Sequence, residues 1–354
     1  MGQAFPEQLR ITRAFATPTE VVRIAPVDDG HIHETYWCTC RDGSEYVLQR
    51  INDQVFTDPV GVMRNIVTVL EASDSAGEIR LPALVHAREP YVEQLPVVRR
   101  DDGWWRLWQA IAGSVPAPIP AGPREAHACG RGFGSFLSFT SGLDSRRLGE
   151  TIPRFHDIER RLNELDDAVR RDPVGRLSGV TREVGLVEER VSGMTRYFRS
   201  LARLPRRVTH NDTKFNNILL DAAVPEPRAI IDLDTVMAGH AAYDFGDGAR
   251  TGAATVAEDS PEPQLMRLNR ESFRAYADGF LEKARLSGDE VATLPRATAY
   301  MTFIMAVRFL TDYIAGDRYY HVRDEEQNLR RARAQLALVR SLEADFHEIA
   351  RVFE

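Results

Sequence analysis

From His210 to Asn217 the chain reads H-N-D-T-K-F-N-N, and beyond two short apolar runs come I-D-L-D at Ile231–Asp234 and Y-D-F-G-D at Tyr243–Asp247. Moving a phosphoryl group onto a hydroxyl needs a carboxylate beside the attacking oxygen. It also needs hard oxygen ligands for the magnesium ion that rides on the nucleotide phosphates. Asp212, in a polar loop, is the candidate catalytic base. Asn217 follows five residues later, the interval between Asp and Asn in the kinase loop H-R-D-x-x-x-x-N, and its amide oxygen suits a hard cation. Asp232 ends an apolar run, which delivers its carboxylate to the same ion from across a hairpin. Singly, such residues cap turns and brace loops; that reading does not explain all of them together.

The elements that must position these groups fall into two halves. After a helical lead-in (Pro6–Phe15), alternation from Val21 to Asn52, broken at Asp28-Asp29-Gly30 and Arg41-Asp42-Gly43, predicts antiparallel strands. A helix is predicted over Val60–Ala72 and further short strands over Leu81–Trp108. Ser114–Pro123 carries four prolines in ten residues and reads as the connection between lobes. Beyond it, Arg124–Phe139, Pro153–Arg171, Thr181–Leu204, Met301–Tyr313 and Glu325–Val352 have helical spacing, with a hairpin formed by the runs at Ile218–Leu220 and Ala229–Ile231. The expectation is an α+β fold, with residues 1–112 as a nucleotide-binding lobe and residues 113–354 as a catalytic and acceptor-binding lobe.

For the nucleotide, Gly30 with Thr35 marks a turn that covers phosphates, and Trp104–Ile111 leads to a hinge where the backbone at Ala110 and Ile111 would bond the base. The third strand should carry a lysine, yet Tyr46-Val47-Leu48 is followed by Gln49 and Arg50. Either Gln49 meets the phosphates without charge or a bulge turns Arg50 inward; Glu71 is the available helix partner for such a cation. Trp104, Trp105 and Trp108 are read as core. For the acceptor, the candidates besides Asp212 are His156, Asp157, Arg308, Asp312 and Tyr320; Arg308 and Asp312 lie one helical turn apart and equally suit an ordinary ion pair. His31, His33, Cys38 and Cys40 form a competing zinc set with poor spacing, so buried thiols and turn histidines are the preferred reading.

VTHNDTKFNNILLD, AIIDLDTVMAG and YDFGD resemble the aminoglycoside phosphotransferase and choline kinase superfamily. That resemblance implies a protein-kinase-like two-lobed fold, ATP and Mg2+. THNDTKFNN, IDLDTVMAG, YDFGDGAR and RFLTDYIAGDRYY, with YVLQRINDQVF and TIPRFHD, are similar to N-acetylhexosamine 1-kinases, which implies transfer to the anomeric hydroxyl of an amino sugar. An aminoglycoside, an amino alcohol or another small hydroxylated acceptor is the alternative within the superfamily, and a non-catalytic nucleotide-binding protein is the alternative outside it.

A net charge of −7 gives no reason to expect nucleic acid or an anionic membrane as partner. No run of about 18 apolar residues is present. The N-terminus lacks the order of a signal peptide, and three cysteines suit a reducing compartment; a cytoplasmic location is expected. Oligomeric state is not readable.

Overall fold

The computed structural model describes residues 5–27, 32–73, 79–92, 94–100 and 103–354. Helix α1 (Pro6–Thr12) starts with proline at its first position, where no backbone donor is lost. The strands β1 (Val21–Pro26), β2 (Glu34–Cys40), β3 (Glu45–Ile51), β4 (Val98–Arg100) and β5 (Gly103–Gln109) form one sheet in the order β1-β2-β3-β5-β4, every neighbouring pair antiparallel. Strand alternation divides its side chains. Cys38, Cys40, Leu48, Trp105 and Leu107 pack with Ile11 and Phe15 on one side. Ile51 and Trp108 join the main core on the other, against helix α2 (Pro59–Ala72).

Helix α2 is capped by Asp58, which accepts from Gly61 N at 2.9 Å, and it buries Val62, Met63, Ile66 and Val69. Its buried Asn65 reaches the second lobe. Nδ2 donates to Gly149 O (2.8 Å) and Val236 O (2.9 Å), and Oδ1 accepts from Gly149 N (3.0 Å).

The proline-rich connection is anchored in the second lobe. Its strand β6 (Ser114–Pro116) pairs with β8 (Ile218–Asp221), which pairs with β9 (Pro227–Ile230). Residues 110–113 thus make the crossing. The remaining elements are α3 (Pro123–Phe139), α4 (Ile158–Arg171), α5 (Thr181–Glu188), α6 (Val191–Leu201), β7 (Arg207–Thr209), β10 (Met237–Gly239, paired with β7), α7 (Ala241–Gly252), α8 (Arg270–Lys283), α9 (Gly288–Val291), α10 (Leu294–Ala315), α11 (Gln327–Ala344) and α12 (Phe346–Ala350). The single helix expected over Thr181–Leu204 is two: the chain breaks at Arg190, whose guanidinium turns back to Leu186 O (2.7 Å) and out to Glu343 (2.8 Å). The two-lobed, protein-kinase-like α+β architecture is present, with a sheet lobe over a helical one. Among the described residues no helix is long and apolar enough to cross a membrane.

Helices α3 and α8 cross backbone to backbone. A Cβ on Gly130 would lie 2.2 Å from Tyr276 O, and one on Gly279 would lie 2.2 Å from His127 O. Neither backbone oxygen moves without separating the helices. Gly130→Ala is therefore expected to destabilise the protein by about 1–3 kcal/mol, seen as a lower denaturant midpoint at unchanged slope.

Candidate active site

The loop after β7 is shaped from below by Asp244, near the start of α7. Its buried carboxylate accepts from His210 N (2.9 Å) and Asn211 N (2.7 Å), and its carbonyl accepts from Thr213 Oγ1 (2.6 Å). These bonds hold Asn211 at φ +64°, a left-handed conformation that asparagine tolerates better than most residues. Burial pushes the Asp244 carboxyl up to about 6 against the favourable field of His210 and the two N–H donors. His156 braces the same loop. A carbonyl only accepts, so His156 Nε2 carries the hydrogen donated to Asn211 O at 2.9 Å. Burial, then the nearby Arg308 charge, pushes its pKa down to about 3, so it is neutral.

Asp212 emerges from this frame into the cleft. Asn217 Nδ2 donates to its carbonyl (2.8 Å) and to its Oδ2 (3.0 Å), while Lys214 Nζ lies 3.2 Å from Oδ1. Burial alone would raise the Asp212 carboxyl; Lys214 and His210 outweigh it and keep the group below its ordinary value. An ionised carboxylate is thus presented to a hydroxyl. With the Asn217 amide nitrogen committed to Asp212, its oxygen is the atom left for a cation.

Asp232 comes from the far side of the hairpin. His210 Nε2 donates to Ile231 O (3.0 Å) and Ile231 N to Asn217 O (2.9 Å), which stitches the two segments together. Asp232 sits at φ +61° with its side chain open to the cleft. Burial of its surroundings, then repulsion from Asp234 and Asp212, pushes its carboxyl up to about 7. Crowded anions of this kind fit a divalent cation, and the donor set of carboxylate and amide oxygens suits magnesium. Among the described residues, one group of candidate ligand atoms lies within 4.8 Å of one another: His33, Asp232 and Asp234.

On the sheet, Thr35 (β2), Gln49 (β3) and Arg106 (β5) are register partners across three strands. Gln49 Oε1 accepts from Arg106 Nε (3.1 Å), Arg106 Nη2 (2.9 Å) and Trp108 Nε1 (2.9 Å), and Gln49 Nε2 donates to Thr35 Oγ1 (3.3 Å). Strand β3 has no bulge, so Arg50 faces away from the cleft and pairs with Glu34; the bulge considered for it is absent. Glu71 is exposed near the end of α2 and meets no cation of the sheet. Trp105 and Trp108 are buried, as expected of core. Gly30 and His31 lie outside the described residues. Cys38 and Cys40 are buried free thiols beneath α1, apart from His33, and burial pushes Cys38 up to about 12. At the hinge, Ala110 N already donates to Glu45 O and Ser114 Oγ to Ile111 O, which leaves Ala110 O and Ile111 N for a base.

The acceptor candidates separate. Arg308, on α10, has its guanidinium 5.0 Å from the Phe155 ring and 5.4 Å from those of Tyr319 and Tyr320, with Met305 Sδ at 3.4 Å. It has no carboxylate partner among the described residues. The ion pair with Asp312 does not form, because Asp312 accepts instead from the backbone N–H groups of Arg318, Tyr319 and Tyr320 and from Asn328 Nδ2. Asp312 therefore shapes the turn that places Tyr320. Asp157 is the N-cap of α4, bonded to Glu159 N (2.9 Å) and Arg160 N (3.2 Å) and paired with Arg154. Sequence reasoning passed over that role, although Asp followed by an amphipathic helix is an N-cap signature.

A cavity of about 210 Å³ opens beside Lys214 and is walled by Arg250, Glu258, Met305, Tyr320, Arg331 and Gln335, among others. Tyr320 Oη, Arg250 Nη2, Arg331 Nε and Gln335 Oε1 have no hydrogen-bond partner among the described residues. A larger groove of about 330 Å³, between α8 and α12, shares no residue with this site and holds none of the groups above.

Residues 23–287 match the model of the phosphotransferase enzyme family. Solved structures with similar architecture include an aminoglycoside phosphotransferase from Alicyclobacillus acidocaldarius, at 14% identity and TM-score 0.61, with 98% of each chain covered. A microcompartment-associated aminopropanol kinase is 15% identical with TM-score 0.64, covering 97% of this chain and 98% of that one. An amicoumacin kinase in complex with AMP-PNP, Ca2+ and Ami is 14% identical with TM-score 0.59, covering 94% of this chain and 93% of that one.

Proposed function

Because the chain belongs to the phosphotransferase enzyme family, we propose that it carries the γ-phosphoryl group of ATP to the anomeric hydroxyl of an N-acetylhexosamine, giving a sugar 1-phosphate. Asp212 orients that hydroxyl and takes its proton as the acceptor oxygen forms a bond to the γ-phosphorus. The bond from that phosphorus to the bridging oxygen breaks, ADP leaves, and the proton passes from Asp212 to solvent. Asn217 and Asp232 would hold Mg2+, which supplies charge neutralisation on the phosphates. Lys214 keeps Asp212 ionised. The hinge groups Ala110 O and Ile111 N bind the base, and Thr35 and Gln49 lie on the cleft face of the sheet.

The observation that carries the acceptor class is the cavity beside Lys214. Its volume, about 210 Å³, is below the roughly 300–1,000 Å³ of sites for drug-sized ligands, which suits one ring rather than a linked aminoglycoside. Its wall residues bring Tyr320 Oη, Arg250 Nη2, Arg331 Nε and Gln335 Oε1, without hydrogen-bond partners among the described residues, and a ring rich in hydroxyl and amide groups satisfies buried donors and acceptors of this kind. Arg308, held by aromatic faces, adds a cation that repels a polycationic acceptor.

A coupled ADP-release screen over N-acetylhexosamines, free hexosamines, neutral hexoses, amino alcohols and aminoglycosides tests this. The highest kcat/KM is expected for an N-acetylhexosamine, with the product phosphate on the anomeric carbon by phosphorus NMR. A higher kcat/KM for an aminoglycoside or amino alcohol overturns the sugar reading and leaves the family intact. Tyr320→Phe is expected to raise acceptor KM by about tenfold, the worth of one buried hydrogen bond, with ATP KM unchanged.

A further inference from the structure

The cation on the cleft face of the sheet stands one strand away from the position where a lysine is expected. The third strand offers Gln49 where a phosphate-binding lysine is expected, yet the register partner of Gln49 on the neighbouring strand is Arg106. A directly opposed residue on an antiparallel neighbour lies about 5 Å away on the same face of the sheet. The positive charge therefore lies one strand over, on a longer side chain.

Arg106 is 1% exposed and all three of its nitrogens are engaged. Nη1 donates to Asp234 Oδ1 (2.8 Å) and Nη2 to Asp234 Oδ2 (2.6 Å), a two-pronged pair, while Nε and Nη2 also meet Gln49 Oε1 (3.1 and 2.9 Å). Among the described residues, Met63 Sδ at 4.0 Å is its hydrogen-bond partner from α2. Four of its five N–H groups are thus spoken for by oxygen, and Nη1 carries the fifth beside the Met63 thioether. This cation does not hold the helix, which is tied to the second lobe by Asn65 instead.

What Arg106 holds is the segment that follows Asp232. Asp234 is clamped by Arg106, with His33 Nε2 3.3 Å from Oδ1; Thr235 Oγ1 donates to His210 O (2.7 Å); Val236 O accepts from Asn65. Three successive residues are fixed to the sheet, the catalytic loop and α2 respectively. Asp232 stands two residues before Asp234 in a left-handed conformation, which costs of order 1–3 kcal/mol for a non-glycine residue and persists only where neighbours impose it.

We propose that Arg106 takes over the role of the missing strand cation as a positioning residue: through its two-pronged bond to Asp234 it presets Asp232 for the divalent cation, without touching the phosphates. This rests on the phosphotransferase reading. Lysine does not reproduce it, since a single ammonium lacks the planar fork that fixes a carboxylate in orientation.

The test uses Arg106→Lys and the double variant Arg106→Gln with Asp234→Asn, which keeps a hydrogen-bonding pair of similar size without buried charge. ADP binding is titrated with and without magnesium, in the absence of acceptor, and folding is followed by circular dichroism and melting. Both variants are expected to fold and to keep magnesium-free ADP affinity within about threefold. The magnesium concentration that half-saturates the enhancement of ADP binding should rise about tenfold or more. Unchanged magnesium dependence in either folded variant overturns the proposal. So does a tenfold loss of magnesium-free affinity, which makes Arg106 a direct phosphate ligand, or failure of both variants to fold, which gives it a stability role alone. Absence of magnesium-dependent ADP binding in the unaltered chain overturns the phosphotransferase reading itself.

Discussion

Asp212→Ala is expected to lower turnover by about 10²–10⁴-fold, the usual worth of a positioned general base, while ATP affinity changes little. The reason is geometric. Asn217 Nδ2 loses its 3.0 Å bond to Oδ2 when the carboxylate is removed but keeps the 2.8 Å bond to the Asp212 carbonyl, so the loop stays tied at this point. Lys214 loses its ion partner at 3.2 Å but retains the fields of Glu258 and Asp247. The loss thus falls on the reacting hydroxyl. Asp212→Asn retains an oxygen that accepts a hydrogen bond yet takes no proton, and it is expected to lose nearly as much as alanine if proton acceptance matters at the transition state. Turnover of purified Asp212→Ala within a few-fold of the unaltered protein sinks the assignment. Single-turnover rates with saturating ATP separate the chemical step from product release.

The residues legible in the sequence are those whose relation is local. Asp212 and Asn217 share one loop, and Asp232 follows across a hairpin short enough to read from two apolar runs and two prolines. The two-lobed architecture was legible for the same reason, because alternation and helical spacing change character at the proline-rich stretch. Arg106 and Asp234 were not legible as a pair, for they lie 128 residues apart and meet only after β3 and β5 have paired in register. One signal was available: within W-W-R-L-W, alternation puts Arg106 on the same face as Trp104 and Trp108, an inward charge that needs a partner. Asp244 lies within Y-D-F-G-D with no role legible in the sequence, because its partners are backbone N–H groups, which a sequence does not display. Asp157 and Asp312 drew attention as polar groups for an acceptor, yet both spend their carboxylates on backbone donors, the commoner fate of a buried aspartate near a helix end or turn. Arg308 kept its place among the candidates for the opposite reason. Its neighbours are aromatic faces and a thioether, so its charge is left for what enters the cleft.

Replacing Asp232 with alanine is expected to abolish the magnesium-dependent part of nucleotide binding and, with it, activity. Among the described residues its carboxylate makes no hydrogen bond, and the segments on both sides are fixed by His210, Arg106 and Asn65. The variant should therefore fold, and its defect should lie at the metal. The pH dependence gives a second, independent check. In the metal-free protein, burial and then the fields of Asp234 and Asp212 push the Asp232 carboxyl up to about 7. Proton and cation compete for one group, so below about pH 7 the apparent magnesium affinity in the presence of nucleotide should fall by about tenfold per pH unit, and above it should level off. Asp234 does not contribute in this range, because although burial opposes it, the Arg106 and His33 fields hold it well below the usual carboxylate range. Asp232→Asn keeps an oxygen ligand and removes one titrating proton, so its weaker magnesium binding should keep only the shallower slope of the nucleotide's own terminal phosphate, whose second pKa is about 6, between about pH 5.5 and 7. A slope as steep in Asp232→Asn as in the unaltered protein assigns the competing proton to another group, and unchanged magnesium-dependent binding in Asp232→Ala removes Asp232 from the metal site.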